Sequence, residues 1–253
     1  MKSDNETNNL IAELAKWSQK KTIAQIWWRD DDVSRPTSKL DWMLKTIDSL
    51  EFKPLLAAIP NLSSRELAKA LETCGLPIAV HGLSHLNYEP ADSRKSEFGL
   101  SRDLHDVKKD LIQAKKQLSN IFGDSVIDCF VPPWNRFRED IIPYLSELGF
   151  SGFSSFGRKS SKAHESNLKW FNTHVDVIDW RNTRHFIGRN AIISQITDNL
   201  RHQRTRSGTS EPVGILTHHL NMIESDWEEL RNIFIILKRN NAVRFVDPSE
   251  LFH

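Results

Sequence analysis

Short apolar runs alternate with amphipathic stretches along this chain, and this alternation constrains the fold more than any other feature of the sequence. In the clearest amphipathic stretch, apolar residues recur at three- and four-residue steps from Leu104 to Ile121, and Gly123 ends the pattern. The apolar runs predict strands at 24–29, 54–59, 77–81, 126–131, 150–156, 174–180, 213–218 and 242–247. The remaining predicted helices are 38–50, 63–73, 138–148, 189–204 and 225–239.

Strands that alternate with helices indicate a parallel sheet covered by crossover helices. In a chain of 253 residues, this number of strands favours an α/β fold, an irregular (β/α) barrel of about seven to eight strands. A doubly wound open sheet is the alternative. The sequence has no internal repeat and no linker rich in Pro, Gly and Ser. We therefore expect a single domain over 1–253, with 1–20 as an N-terminal helical extension and long loops at 84–100 and 157–173.

The composition is that of an ordinary globular protein, with 39% hydrophobic and 26% charged residues. The formal net charge of +1 gives no reason to expect a nucleic acid or a membrane surface as partner. No apolar run approaches the ~18 residues of a membrane span, and the polar N-terminus lacks the pattern of a secretory signal. The two cysteines, Cys74 and Cys129, fit a reducing compartment. The expected location is the cytoplasm.

Five polar clusters each follow an apolar strand at its C-terminal end. They read RDDD, HGLSH, PPWNR, DVIDW and THH. In barrels and in open parallel sheets alike, this edge of the sheet carries the active site. We therefore expect the five clusters to supply the functional residues.

The first two clusters together predict a metal site. His81 and His85 are four residues apart, a spacing that places two imidazoles on one side of a helical turn. A carboxylate from RDDD completes a three-ligand set for Zn²⁺ or a similar ion. The alternatives are a pair of surface histidines and aspartates that cap the next helix. Ser34, Thr37 and Ser38 lie closer to that helix and can cap it, which favours the metal site.

The other clusters supply candidates for proton transfer and substrate contact. Histidine is a common general acid in enzymes, so His218 or His219 in THH suits a proton donor; a packed strand end is the alternative. Asp176 and Asp179 have an odd separation, so only one of them faces inward from a regular strand. The adjacent prolines of PPWNR predict a rigid turn that presents the Trp134 amide.

As an ordered series from residue 29 to residue 219, these clusters resemble the five motifs of the polysaccharide deacetylase superfamily, the NodB-homology domain of carbohydrate esterases. The chain departs from the family pattern in three places. Val131 replaces the arginine of the third motif, and Gly82 stands where the second motif usually has Ser or Thr. An extra aspartate also adjoins the first motif. The chain is therefore identified as a divergent branch.

The resemblance implies a distorted (β/α) barrel as the fold. It implies a metal-dependent hydrolase as the activity, one that removes an acetyl group from a sugar or glycan intermediate, with an N-acetyl group as the first expectation. It implies a divalent metal ion as cofactor: Zn²⁺ is expected, and Co²⁺, Ni²⁺ or Fe²⁺ are the alternatives. The implied partner is an acetylated sugar or glycan-precursor substrate. The competing hypotheses are an inactive barrel kept for carbohydrate binding or partner contacts, and another metal hydrolase on a similar barrel.

The resemblance also assigns roles to residues. The first motif of the family is a pair of aspartates, a general base followed by a metal ligand. Asp31 would be the general base if the pair is Asp31 and Asp32, and Asp30 and Asp31 are the alternative pair. His218 would be the general acid, oriented by Asp179 or by Asp176. The implied metal ligands are Asp32, His81 and His85, and the implied substrate contacts are Trp134 through its backbone N–H, Trp180 as an apolar wall, and Arg136.

Overall fold

The computed structural model describes residues 2–160, 166–206 and 211–252. Its helices within these ranges are α1 (Lys2–Gln19), α2 (Ser38–Asp48), α3 (Arg65–Leu71), α4 (Leu104–Phe122), α5 (Ile142–Glu147), α6 (Arg189–Thr205), α7 (Glu224–Lys238) and α8 (Pro248–Phe252). Its strands are β1 (Ala24–Val33), β2 (Leu55–Ala58), β3 (Ile78–Val80), β4 (Val126–Phe130), β5 (Gly152–Phe153), β6 (Lys169–Trp170), β7 (Val175–Asp176), β8 (Val213–Thr217) and β9 (Val243–Phe245).

The strands pair in parallel: β1 with β9, β7 with β8, and β2, β3, β4 and β5 each with the next strand along the chain. The predicted fold class, α/β of the irregular (β/α) barrel type, is confirmed. Parallel pairing brings the carboxyl ends of neighbouring strands to one edge. Within each unit, the polar clusters of the sequence follow strands at this end. No helix in the described ranges combines the length and the hydropathy that crossing a bilayer requires.

The chain divides into two compact units, and β1 runs from the first into the second. The first unit comprises 1–29, 37–54 and 173–247. Within it, β1 neighbours β8 and β9, and β7 pairs with β8 in the register Val175↔Ile215. Trp28 of β1 packs against Phe234 and Trp227 of α7, with ring centroids 5.3 and 6.0 Å apart. This aromatic packing fixes β1 against its helix layer.

The N-terminal helix α1 also belongs to the first unit. Its apolar face, Leu10, Leu14 and Trp17, is buried. The buried Glu13 on the same helix accepts two hydrogen bonds from the guanidinium of Arg204 on α6, at 2.5 and 3.1 Å. A buried carboxylate is tolerated when it is paired in this way. The helix expected within residues 1–20 is therefore present and packed.

The second unit comprises 30–36, 55–172 and 248–253. Its strand order is β6-β5-β4-β3-β2, with β1 next to β2. Helix α4 covers the sheet with the buried face that its periodicity predicted, and it ends at Gly123 with φ 58°. The side chain of Thr37 caps α2 by accepting the N–H of Leu40. This frees the aspartates of β1 from a capping role, as predicted.

Several predicted strands differ in length from the observed ones. Strand β1 continues over all three aspartates to Val33, whereas the predicted strands 150–156 and 174–180 shorten to β5 and β7. After β5 the N–H of Ser155 donates to the Asn172 side chain instead of a neighbouring strand. The predicted loop 157–173 contains the two-residue strand β6, too short to show periodicity, and residues 161–165 of that loop lie outside the described ranges.

Candidate functional site

Three predicted metal ligands lie together in the second unit. Asp32 is near the end of β1, His81 follows β3 directly, and His85 comes four residues later. The Oδ1 atom of Asp32 is 3.2 Å from Nε2 of His81 and 3.2 Å from Nε2 of His85. All the ligand atoms of the three residues lie within 4.8 Å of one another. We refer to Asp32, His81 and His85 as the ligand cluster.

The hydrogen bond on the far side of His81 shows what the ligand cluster can hold. Nδ1 of His81 is 3.0 Å from the carbonyl oxygen of Val131. Because a carbonyl only accepts, Nδ1 carries the proton, and a neutral imidazole then turns the lone pair of Nε2 towards the Asp32 carboxylate. In this form the imidazole and the carboxylate both present lone pairs that one shared cation can accept. Two imidazoles and one carboxylate are ligands typical of Zn²⁺ and similar ions, and a backbone acceptor commonly orients such a histidine. The donor set therefore fits a divalent metal.

The backbone around the ligand cluster is unusual. Asp32 and His85 have φ of 67° and 55°, and Trp134 and Asn135 have φ of 54° and 56°. Side chains other than glycine rarely adopt this left-handed region, at a cost of about 1–3 kcal/mol each. Such conformations persist where surrounding contacts hold them, and they concentrate at functional sites. Nothing in the sequence pattern signals them.

A buried carboxylate that the sequence analysis missed supports the loop of the second motif. Glu97 accepts the backbone N–H groups of Leu83 and Ser84 at Oε1, at 3.2 and 2.8 Å, and that of His85 at Oε2, at 3.1 Å. Burial raises the pKa of the Glu97 carboxyl above its ordinary value, while these three hydrogen bonds and the nearby His81 oppose that rise. A single glutamate in a predicted loop carries no pattern that would have identified it.

The third-motif turn packs against the same loop. The ring of Trp134 lies 4.2 Å from that of His85 between centroids, so the predicted substrate contact lies beside a ligand. Arg136, also predicted to contact substrate, donates to the carbonyl of Lys95 at 3.0 Å. Burial, together with the charge of Arg94, lowers the pKa of Arg136. One N–H group of the Arg136 guanidinium therefore binds the loop that contains Lys95.

The three aspartates of β1 differ in their placement. The carboxylate of Asp32 meets the histidines, which favours Asp31 and Asp32 over Asp30 and Asp31 as the first-motif pair. Asp31, the candidate base, is buried in the second unit directly before Asp32. Asp30 is buried as well.

The candidate general acid, His218, lies in the first unit with two other predicted residues. It follows β8, and the parallel pair β7–β8 brings it near Asp176, whose Oδ1 is 3.9 Å from Nδ1 of His218. The Nε1–H of Trp180 donates to Oδ2 of Asp176 at 2.8 Å. The Trp180 ring meets the His218 ring edge to face at 4.7 Å and is 41% exposed. We refer to Asp176, Trp180 and His218 as the His218 cluster.

Of the two alternatives that the sequence left open, Asp179 and Asp176, the structure places the carboxylate of Asp176 beside His218. Strand β7 ends at Asp176, so the alternation used to compare the two residues does not extend to Asp179. Asp179 instead accepts the backbone N–H groups of Arg181 and Asn182 and the side-chain amide of Asn182. The side-chain hydrogen bond from Asn182 lowers the pKa of Asp179. Asp179 therefore shapes a turn.

The comparisons with known proteins agree with this arrangement at the level of the fold. No protein-family model matches the chain, and no curated protein matches it in sequence. Among solved structures, a family 4 carbohydrate esterase from Streptomyces lividans in complex with acetate is 13% identical, with a TM-score of 0.58. The match covers 90% of this chain and 96% of that one.

Two further solved structures extend the comparison. A peptidoglycan N-acetylglucosamine deacetylase is 14% identical, with a TM-score of 0.59 and coverage of 91% and 88%. A family 4 pseudoenzyme from Bacillus anthracis is 13% identical, with a TM-score of 0.57 and coverage of 90% and 65%. The chain therefore has the fold of family 4 carbohydrate esterases. The resemblance to the polysaccharide deacetylases is confirmed at that level, and the low identity marks a divergent branch.

Proposed function

We propose that this chain, with the fold of the family 4 carbohydrate esterases, is a metal-dependent hydrolase that removes an acetyl group from a sugar or glycan intermediate. The observation that carries the proposal is the ligand cluster, in which the protonated Nδ1 of His81 leaves Nε2 facing the Asp32 carboxylate. Structures of the same fold include an esterase in complex with acetate and an N-acetylglucosamine deacetylase. They support an acetylated carbohydrate as the substrate, with N-acetyl as our first choice.

Asp32, His81 and His85 would hold the divalent ion. Zn²⁺ fits this donor set, and Co²⁺, Ni²⁺ and Fe²⁺ take the same ligands. When bound, the ion would act as a Lewis acid on the acetyl carbonyl. The hydrogen bond from His81 to Val131 would keep Nε2 aimed at the ion.

Asp31 is our candidate for the general base. It would accept a proton from the water that attacks the acetyl carbon. The backbone N–H of Trp134 would donate to the oxygen on which negative charge develops. Such a donor contributes roughly 3–4 kcal/mol elsewhere.

His218 is our candidate for the general acid. The bond between the acetyl carbon and the sugar nitrogen breaks, and His218 would protonate the departing amine, so that acetate and the free amine are the products. The carboxylate of Asp176 lies 3.9 Å from Nδ1 of His218 and would orient the imidazole for this transfer. The exposed ring of Trp180 offers an apolar surface to a sugar ring.

The first test is metal content by elemental analysis, on wild type and on His81→Ala/His85→Ala purified without an affinity tag. Acetate release is measured in parallel from an N-acetylglucosamine oligosaccharide, from UDP-N-acetylglucosamine and from an O-acetylated xylan. We expect about one transition ion per chain and acetate release from an N-acetyl substrate, both lost in the double variant. Wild type that binds no ion after incubation with Zn²⁺ or Co²⁺ would contradict the proposal.

A second function is a catalytically inactive barrel that binds carbohydrate or a partner. Val131, in place of the third-motif arginine, favours it, and the Bacillus anthracis match is itself a pseudoenzyme, a mutant of which has restored enzymatic activity. Calorimetric binding of the same sugars would distinguish the two functions. Binding without acetate release, unchanged in His218→Ala, would favour the inactive barrel.

A further inference from the structure

The carboxylate of Glu97 is enclosed by the main chain that carries a metal ligand. It receives the N–H groups of three successive residues, Leu83, Ser84 and His85, and its side chain is 0% exposed. Hydrogen bonds to a carboxylate are stronger than those between neutral groups. A single buried side chain therefore fixes the backbone from Leu83 to His85.

Gly82 provides the space for this carboxylate. A Cβ atom at residue 82 would lie 2.1 Å from Oε2 of Glu97 and 2.6 Å from Cγ of Pro133, and φ of Gly82 is 68°. No side chain fits there without displacing the carboxylate or the turn. Gly82 occupies the position at which the resembling family usually has Ser or Thr. The glycine at residue 82 therefore leaves the space that the Glu97 carboxylate occupies.

Glu97 is itself held on both sides of its position in the chain. Ser96 Oγ donates to the carbonyl of Arg136 at 3.1 Å, and the N–H of Arg138 donates to the carbonyl of Phe98 at 2.7 Å. The carboxylate is thus attached to the third-motif turn through its neighbours. It reaches the loop of the second motif from a fixed anchor, which pre-organises the three hydrogen bonds.

We propose that Glu97 is a positioning residue for the metal: it fixes the backbone of His85, so that Nε2 of His85 stays aimed at the ion shared with Asp32 and His81. This inference rests on the proposed function for the identity of the ion. The strained φ of 55° at His85 is the conformation that the carboxylate would maintain. Removal of Glu97 should therefore weaken metal binding without removing a ligand.

The test compares Glu97→Ala and Glu97→Gln with Glu89→Gln. Glu89 is a matched control, because its carboxylate caps the other end of the same loop by accepting the N–H and the hydroxyl of Ser101. Zn²⁺ affinity is measured by competition titration, and the ligand geometry by the visible spectrum of the Co²⁺-loaded protein. We expect affinity to fall about 10- to 100-fold in Glu97→Ala and less in Glu97→Gln, whose amide still accepts part of the hydrogen bonds. Glu89→Gln should change it by less than about twofold.

A third measurement separates the positioning role from the proposed function. Amide hydrogen exchange by NMR, without added metal, should be faster at Leu83, Ser84 and His85 in Glu97→Gln and unchanged in Glu89→Gln. If wild type binds no metal, the proposed function fails, while exchange still tests whether Glu97 fixes the loop. Unchanged affinity, spectrum and exchange in folded Glu97→Ala would overturn the inference. Failure of both Glu97 variants to fold would overturn it too, since Glu97 would then support the whole unit.

Discussion

The ligand cluster and the His218 cluster are positioned by different parts of the chain. In the ligand cluster, main-chain groups supply the support: the Val131 carbonyl orients His81, and backbone N–H groups bind Glu97. In the His218 cluster, side chains supply it, through Asp176 and the exposed ring of Trp180. Metal ligands need fixed distances, whereas a group that transfers protons must meet substrate and solvent. The contrast matches the roles that we propose for the two clusters.

The largest effect that separates metal binding from proton transfer is expected in Asp31→Asn. The amide cannot accept the proton of the attacking water, so kcat should fall about 10²- to 10⁴-fold. The three ligands remain, so the metal content should stay at the wild-type level. Elemental analysis beside the rate assay measures both. Asp32→Asn is the control that should lose the ion, and loss of metal in Asp31→Asn would show that the first-motif pair was assigned incorrectly.

The two aspartates after β7 offer a matched pair within the His218 cluster. Asp176→Asn removes the charge beside His218 and should lower kcat about tenfold, a fraction of what a general acid contributes. Asp179→Asn alters only the turn, and kcat should change by less than about twofold. Steady-state kinetics on both variants measures the difference. A larger loss in Asp179→Asn than in Asp176→Asn would return the orienting role to Asp179.

A smaller effect is expected at the exposed edge of the His218 cluster. Trp180→Ala removes the ring that a sugar would contact, and KM should rise about two- to tenfold. Trp180→Phe retains a ring and loses only the N–H that binds Asp176, so its KM should stay closer to wild type. The ratio of the two KM values measures the contribution of the ring. Equal KM values in wild type and Trp180→Ala would argue against a sugar contact.

The smallest effect concerns the segment that follows the third-motif turn. Arg138 donates two hydrogen bonds to Asp140, and these lower the pKa of the Asp140 carboxyl. A lowered pKa in the folded state contributes stability at neutral pH, and this contribution is lost as the pH falls through that value. Because Asp140 is largely exposed, wild type should exceed Asp140→Asn in unfolding free energy by less than about 1 kcal/mol at pH 7.

Urea unfolding of wild type and Asp140→Asn at pH 7 and pH 3 measures this difference. It should shrink towards zero at the lower pH. If the difference in unfolding free energy grew as the pH fell, the pKa of Asp140 would be raised in the folded state, contrary to this prediction.

The sequence was sufficient to predict the framework and the three residues that the structure brings together in the ligand cluster. Periodicity located α4 and its end at Gly123, and the polar clusters after strands pointed to Asp32, His81 and His85. These predictions succeed because they depend on residue type and spacing, which the sequence states directly. Because neighbouring parallel strands end at the same edge of the sheet, residues far apart in the sequence then lie together there.

The hydrogen bonds that hold the predicted ligands in place could not be predicted from the sequence. Glu97 lies 12 residues after His85 in a predicted loop, and its role depends on where that loop folds back. The sequence left Asp176 and Asp179 as alternatives because it predicted a regular strand over 174–180, whereas β7 ends at Asp176. Both cases depend on local backbone paths that tertiary contacts decide.

The hydrogen bond from His81 to the Val131 carbonyl also has an evolutionary consequence. Every amino acid offers the same carbonyl, so a change of side chain at residue 131 leaves this acceptor for the histidine in place. The N–H groups that bind Glu97 are equally indifferent to residue type. A centre supported in this way tolerates sequence drift around a few fixed ligands. This chain shares its fold with a solved structure at 13% identity, although no family model matches it.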